Sequence, residues 1–311
     1  MKRISLGGWT FALAAVFVGA GAFLCTLVAG LYLSGPVLPS FDEVRASHRL
    51  SDAVLTDRHG SVIHEMRVDP VGRRLEWVAL ADVSPALTRV IVAAEDKRFQ
   101  QHDGVDWRAL AASFVRHAVS GGSRGASTIS MQLASRLDGT STPRAARRSP
   151  REKLRQLSAA LALERQWSKD QILEAYLNLI TFRGELQGIA AASRGLFDKA
   201  PSGLNEAESL LLAALIPSSK TPADAAARRA LRIAARSGAT VTPGEMTALA
   251  VETLGRPYRI RPQVALAPHV ARALLRGDGE RIPCTLDGGV QRFALDALNR
   301  QLDQLRERHV R

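Results

Sequence analysis

The sequence predicts a mainly α-helical protein with a small β-hairpin region and one membrane-spanning helix, both near its N-terminal end. Three observations carry this prediction. From Pro85 onward, apolar residues recur at helical spacing, beginning with Leu87, Val90 and Ile91. Ahead of them, the segment AVLTDRHGSVIHEMRV has β-type runs on either side of the turn-forming residues DRHG. Closer still to the N-terminus lies a long apolar segment.

The apolar segment at residues 9–34 predicts an uncleaved membrane anchor. It carries no charged residue and exceeds the roughly 20 residues that cross a bilayer. A cleaved signal peptide, which is the alternative, has a shorter apolar core. Residues 1–8 contain Lys2 and Arg3, and basic residues stay on the cytoplasmic side. We therefore expect a single-pass protein of the plasma (inner) membrane, with its main domain in the periplasm or extracytoplasmic space.

The composition narrows the range of partners. The chain of 311 residues has a formal net charge of +12, 46% hydrophobic residues and 5% aromatic residues. It is therefore globular, and its charge favours an anionic partner such as a membrane surface or a phosphorylated substrate. Nucleic acid is disfavoured, because no finger, RNP or helix-turn-helix pattern occurs. Cys284 is the only cysteine outside the predicted anchor, so no disulfide is expected within the exported part.

Periodicity and composition also predict the order of domains behind the anchor. We expect a linker and the β-hairpin region at residues 35–84 and the main helical domain at residues 85–258. Residues 259–311 are expected to form a proline-interrupted linker followed by an amphipathic C-terminal helix. The histidines are scattered and show no spacing typical of zinc sites.

Five motifs follow one another in the sequence and carry its functional signal. They read EDKRFQQHDGVD from Glu95, GASTISMQL from Gly125, KLRQLSAALALERQWSKDQILEAYLN from Lys153, FRGELQGIAAAS from Phe182 and LNEAESLLLAALIPSS from Leu204. In this order they resemble the family 51 glycosyltransferases, the peptidoglycan polymerases of class A penicillin-binding proteins and of monofunctional transglycosylases. The KLRQ segment is similar to the penicillin-binding protein 1C type of that family.

The resemblance implies a lysozyme-like glycosyltransferase domain that joins lipid II units into glycan strands. In that reaction a sugar hydroxyl of the acceptor attacks the anomeric carbon of the donor, inverts it and releases undecaprenyl pyrophosphate. The hydroxyl needs a base as it attacks, and the departing pyrophosphate needs cations. The implied partners are lipid II, the growing glycan strand, anionic membrane lipids and a separate transpeptidase.

Residue by residue, the resemblance places Glu95 as the catalytic base and Gln156 at the second catalytic position. It assigns substrate binding to Asp96, His102, Ser127, Thr128, Gln132, Lys153, Arg155 and Asn178. It implies no required cofactor and no metal site made by the protein. Mg²⁺ or Mn²⁺ could still bridge the pyrophosphate, because such ions need few protein ligands.

Several of these residues also have a purely structural interpretation. Glu95 could be a surface acid at a helix end, and His102 could hydrogen-bond the loop that holds Glu95. Ser127 and Thr128 precede an apolar run, as helix caps do, and a capped helix start is also an anion site. Asn178 could equally make internal hydrogen bonds.

Departures from the family pattern keep two alternatives open. Gln156 stands where many members have glutamate, and Ser135 stands where they have a basic residue. No S-x-x-K or K-T-G occurs, so the sequence contains no penicillin site. The segment CTLDGGVQRF resembles the lead-in to a transpeptidase domain, and we expect that domain to be missing. The alternatives are a lytic transglycosylase or muramidase, and a catalytically degenerate, membrane-tethered cell-wall scaffold.

Overall fold

A computed structural model describes residues 26, 30, 35–120, 127–139, 149–258, 260, 262 and 264–307, with only the backbone described at residues 114 and 116–120. The predicted anchor at residues 9–34 lies outside the described residues, except for Thr26 and Gly30. Within the described ranges, no helix combines the length and the apolar character needed to cross a bilayer.

Helices make up most of the described chain, which confirms the mainly α prediction. In chain order they are α1 (Phe41–Ala46), α2 (Pro85–Glu95), α3 (Trp107–Ser120), α4 (Ile129–Leu137), α5 (Pro150–Gln166), α6 (Lys169–Leu179), α7 (Ile189–Phe197), α8 (Glu206–Leu215), α9 (Ala223–Ser237), α10 (Pro243–Leu254), α11 (Pro268–Leu274) and α12 (Gly288–Glu307). Ser149, Asn205 and Thr242 each begin a helix with a capping box. The lysozyme-like assignment of this helical fold stays a prediction.

Two small sheets complete the fold. Their strands are β1 (Asp52–Thr56), β2 (Val62–Arg67), β3 (Arg73–Arg74), β4 (Thr181–Arg183), β5 (Leu186–Gln187) and β6 (Arg281–Pro283). The antiparallel pairing of β1 with β2 confirms the predicted β-hairpin. The Asp57 carboxylate closes its turn by accepting hydrogen bonds from the backbone amides of His59 and Ser61. β6 pairs with β1 in parallel, and β3, β5 and β4 form the second sheet in that order.

The described residues fall into two compact units. The first unit holds residues 95–173 together with the described residues up to 43. The second unit holds residues 44–94 together with the described residues from 174 onward. The first two motifs and the start of the third therefore lie in the first unit. The domain limits expected after residues 34, 84 and 258 stay predictions.

In the second unit, the β-hairpin buries its apolar face against α11. The cluster between them consists of Ala53, Leu55, Ile63, Ala267, Ala271 and Leu275. Both α11 and β6 come from the segment 259–311, ahead of its C-terminal helix. The sequence did not indicate this packing, because prolines interrupt the apolar residues there and their partners in the β-hairpin lie about 200 positions earlier in the chain.

In the first unit, α4 packs against α5, and the loop of the first motif approaches α5 closely. α5 carries an uninterrupted buried stretch from Gln156 to Leu163. A Cβ atom at Gly104 would stand 2.6 Å from the carbonyl oxygen of Ala160, in the middle of that stretch. Gly104 also has a φ of +95°, in the left-handed region. Both the available space and the backbone conformation therefore require glycine.

We expect Gly104→Ala to lower the free energy of unfolding by about 3 kcal/mol or more, because the added methyl group meets backbone atoms in a strained conformation. Gly139→Ala is the matched control. Gly139 has a φ of +67°, but a Cβ atom there would have no neighbour within 4 Å among the described residues, so conformational strain alone should cost about 1 kcal/mol. Urea unfolding measures both variants. Equal losses would contradict the close approach of Gly104 to α5.

Candidate active site

Glu95 is the last residue of α2, and its side chain is half-buried. α2 forms because Leu87, Val90 and Ile91 recur at helical spacing and are buried on one face. The side-chain amide of Gln132 donates a hydrogen bond from Nε2 to Glu95 Oε2 at 3.0 Å. This contact joins the carboxylate of the first motif to the second motif.

Asp96 and His102 fix the first-motif loop to the start of α4. The buried Asp96 carboxylate accepts a hydrogen bond from His102 Nε2, which lies 3.1 Å from each oxygen. Its Oδ2 also accepts from the Ile129 backbone amide at 3.1 Å, where a negative charge stabilises the helix N-terminus. Because a carboxylate only accepts, His102 Nε2 carries a proton. His102 Nδ1 is buried and has no hydrogen-bond partner within the part of the chain that the structure describes.

Thr128 caps α4 and ties it to the same loop. Its hydroxyl accepts a hydrogen bond from the Met131 backbone amide at 3.1 Å and donates one to the Gly104 carbonyl at 2.6 Å. The side chain is buried. The Thr128 hydroxyl therefore acts as the helix cap that the sequence indicated.

Lys153 and Gln156 lie together in the first two turns of α5. Lys153 Nζ donates hydrogen bonds to Ser127 Oγ at 3.0 Å and to Gln156 Oε1 at 3.2 Å. The buried Gln156 in turn donates from Nε2 to the Met131 carbonyl at 3.0 Å. The half-buried ammonium group of Lys153 is thereby held at Ser127, the residue before the Thr128 cap of α4.

A buried ion pair behind the first-motif loop was not singled out from the sequence as functional. Lys169 Nζ lies 2.6 Å from Glu164 Oε2, and the Glu164 side chain is only 6% exposed. The same ammonium donates to the His102 carbonyl and lies 4.6 Å from the centroid of the Phe99 ring. Ser130 of α4 donates to Glu164. In the sequence, the only sign of this ion pair is a lysine at the first position of α6. A lysine there does not by itself indicate Glu164, His102 or Phe99 as its partners.

Arg98 and Asp106 brace the same loop with a two-point ion pair. Arg98 Nε and Nη2 donate to the two carboxylate oxygens of Asp106 at 2.8 and 2.7 Å. Burial alone would raise the pKa of Asp106, but hydrogen bonds from Arg98 and from the Ala109 backbone amide hold its pKa below the ordinary value. Asp106 therefore stabilises the fold in its ionised form.

Arg155 and Asn178 each have partners of their own within the protein. Arg155 forms a two-point ion pair with Asp138, at 2.7 and 2.9 Å, and its side chain is 57% exposed. Asn178 belongs to the second unit and is buried. Its amide exchanges hydrogen bonds with the backbone N–H and C=O of Val78 at 2.9 and 2.8 Å. These contacts are of the internal kind that the sequence left open for Asn178.

The three groups that meet at Lys153 through its described hydrogen bonds are an ammonium, a hydroxyl and a carboxamide. Mg²⁺ and Mn²⁺ prefer carboxylate oxygens, so these three groups by themselves are not a site for a divalent cation. Over the described residues, no three His, Cys, Asp or Glu side chains are grouped so that they could hold a metal ion. An ion carried in by the pyrophosphate itself stays a prediction.

Comparison with known proteins shows which family the chain is similar to. Residues 59–238 match the family model described as Transglycosylase. A biosynthetic peptidoglycan transglycosylase of Mannheimia succiniciproducens is 38% identical over 145 residues, which cover 46% of this chain and 56% of that protein. A biosynthetic peptidoglycan transglycosylase of Salmonella agona is 35% identical over 207 residues, which cover 65% of this chain and 74% of that protein. This chain thus spans about half the length of the first relative and about three quarters of the second.

A solved structure gives a weaker likeness. Penicillin-binding protein 1A from Haemophilus influenzae aligns with 73% of this chain and 24% of its own, at 18% identity and a TM-score of 0.32. That TM-score is too low to establish a shared fold.

We expect Thr128→Val to lower the free energy of unfolding by about 2 kcal/mol, because the buried Gly104 carbonyl and Met131 amide lose their partner. Thr128→Ser keeps the hydroxyl and removes one methyl group, so its cost should stay near 0.8 kcal/mol. Urea unfolding of the two variants compares them directly. A serine variant as unstable as the valine variant would show that packing, and not the cap, matters at Thr128.

Stability should depend on pH through Asp106. A pKa below the ordinary value means that Asp106 contributes stability above about pH 4, and that this contribution disappears as the pH falls through the native pKa. Asp106→Asn should therefore be less stable than the parent at pH 7, and the difference should narrow toward pH 3. The exposed Asp103→Asn serves as the control. A difference that stays constant between pH 7 and pH 3 would contradict the role of the ionised carboxylate.

Proposed function

The chain belongs to the transglycosylase family, and from this premise we propose that it is a peptidoglycan glycosyltransferase that polymerises lipid II into glycan strands. The observation that carries the proposal is the half-buried Glu95 carboxylate, oriented by the Gln132 amide at 3.0 Å in the first of the family's motifs. The word biosynthetic in the relatives' names favours synthesis of glycan over its cleavage.

Glu95 acts as the general base in the proposed reaction. As the acceptor hydroxyl attacks the anomeric carbon of the donor, its proton passes to the Glu95 carboxylate. The new glycosidic bond forms while the bond from that carbon to the diphosphate oxygen breaks, and the electron pair leaves with undecaprenyl pyrophosphate. Attack from the side opposite the leaving group inverts the anomeric centre. Gln132 keeps the carboxylate in place, so that little reorganisation is needed during the step.

Lys153 supplies the positive charge that the departing diphosphate needs. It is held next to Ser127, at the N-terminal end of α4, where the helix dipole also favours an anion. Arg155 could contribute as well only by leaving Asp138 and contacting the diphosphate instead. Asp96, through its hydrogen bond to α4, keeps the base and the helix start in register.

The proposed substrate also sets the location and the partners. Lipid II carries its undecaprenyl chain in the bilayer, so we place the site just outside the inner membrane, on a chain anchored by residues 9–34. A net charge of +12 favours contact with anionic lipids. A transpeptidase would then cross-link the strands.

Glu95→Gln should lower the polymerisation of labelled lipid II by about 10²- to 10⁴-fold, because the isosteric amide keeps the contact with Gln132 but cannot take a proton. The matched control is Asp103→Asn, an exposed acid of the same loop, which should keep parental turnover. The assay follows the formation of glycan strands, and urea unfolding checks that both variants fold.

Three outcomes of that experiment contradict parts of the proposal. Parental turnover in Glu95→Gln rejects Glu95 as the base. A parent that forms no polymer but releases soluble muropeptides from purified sacculi is a lytic enzyme. A parent that does neither is a scaffold.

A further inference from the structure

The ion pair between Glu164 and Lys169 joins two helices of the first unit to two other segments of that unit. Glu164 lies near the C-terminal end of α5, and Lys169 is the first residue of α6. Lys169 Nζ lies 2.6 Å from Glu164 Oε2 and 2.8 Å from Glu164 Oε1. The ammonium also donates to the His102 carbonyl, and the carboxylate also accepts from the Ser130 hydroxyl. Lys169 thus contacts the first-motif loop, and Glu164 contacts the first turn of α4.

These contacts close into a ring. The His102 side chain hydrogen-bonds the Asp96 carboxylate, which accepts from the backbone amide of Ile129, the chain neighbour of Ser130. We call this closed path the contact ring, and its members are Asp96, His102, Lys169, Glu164, Ser130 and Ile129. A loop that is tied to a helix at one point can still turn about that point, whereas a closed ring of short contacts prevents this rotation.

The chemistry of the ion pair suits positioning better than packing. A buried ion pair is weak evidence for stability, because removing both charges from water offsets much of their attraction. Apolar side chains could fill the same volume, but they could not donate to the His102 carbonyl or accept from the Ser130 hydroxyl. Lys169 Nζ also lies 4.6 Å from the centroid of the Phe99 ring, and this contact further restricts where the ammonium can lie.

We propose that Lys169 and Glu164 are positioning residues, which complete the contact ring and hold the first-motif loop on α4 in one arrangement. Glu95 directly precedes Asp96, and Gln132 lies about one turn after Ile129 in the same helix. The ring therefore also fixes the backbone of the two residues whose side chains meet at 3.0 Å. The inference rests on the proposed function for the role of Glu95 as the base.

The deciding variant removes both charges of the ion pair together. In Glu164→Gln/Lys169→Met, the glutamine oxygen can still accept from Ser130, and the methionine stays close to the lysine stem in length. Because both charges are removed, neither residue is left as an unpaired buried charge, and the variant should fold. It loses the donor to the His102 carbonyl, so the contact ring opens.

The matched control carries the same two changes at an ion pair outside the contact ring. Lys199 Nζ lies 2.7 Å from Glu208 Oε1, and the Glu208 side chain is 8% exposed. A glutamine at position 208 can still form the capping box with Asn205. Glu208→Gln/Lys199→Met therefore removes an ion pair of the same residue types with a similarly buried carboxylate.

The first measurement is the polymerisation of labelled lipid II by the full chain, with rates corrected for the folded fraction found by urea unfolding. In Glu164→Gln/Lys169→Met, kcat should fall about 10- to 100-fold, because a misplaced base reacts poorly, and KM should change less than about threefold. The control should keep the parental kcat. A parental kcat in the ring variant, or the same loss in the control, overturns the inference.

The second measurement is hydrogen exchange of backbone amides, which needs no activity. The amides of Ile129, Phe99 and Gln101 are hydrogen-bonded in the parent. In the ring variant, exchange should become about tenfold or more faster in peptides that cover residues 96–106 and 127–132, and should stay unchanged in α9 and α10. Parental exchange in the first two segments, or equal acceleration in all four, contradicts a local positioning role.

The two measurements separate this inference from the proposed function. If the parent makes no polymer, the proposed function fails, and hydrogen exchange alone decides whether the ion pair positions the loop. If Glu164→Gln/Lys169→Met does not fold, Ser130→Ala takes its place, because it opens the contact ring at one hydroxyl and leaves the ion pair intact. Parental kcat or parental exchange in Ser130→Ala then overturns the inference.

Discussion

The hydrogen bond from the Ile129 amide to the Asp96 carboxylate is the interaction on which the site depends. A buried carboxylate is costly without partners, and Asp96 finds them in the first turn of α4 and in His102. Glu95 directly precedes Asp96 in the chain, so fixing Asp96 also fixes where Glu95 can lie. Gln132, one turn into the same helix, then reaches the Glu95 carboxylate. One helix start thus positions the proposed base.

The same helix start also organises the positive charge. Thr128 caps it, Ser127 precedes the cap, and Lys153 donates to Ser127 from the neighbouring helix. The two basic residues of the third motif differ in their surroundings: Lys153 donates to Ser127 and Gln156, whereas Arg155 is paired with the carboxylate of Asp138. Lys153 is the one of the two that contacts a residue at the start of α4, which makes it the stronger candidate to meet a diphosphate.

The sequence predicted those features that depend on local pattern. Helical periodicity indicated α2, the turn residues indicated the β-hairpin, and Thr128 before an apolar run indicated a cap. Features that depend on distant contacts gave no such signal. β6 has three residues and joins β1 from more than 200 positions away, and the Glu164–Lys169 pair gains its meaning only from contacts with His102 and Ser130. The orientation of Gln156 likewise follows from a carbonyl on another helix.

The most direct test of the central claim is a crystal structure of the chain with an unreactive lipid II analogue in the acceptor position. The account predicts that the attacking sugar hydroxyl lies within about 3.2 Å of a Glu95 carboxylate oxygen, close enough to hand over its proton. A hydroxyl placed against a different side chain, or a Glu95 carboxylate closed off in an ion pair with no room for sugar, would contradict it.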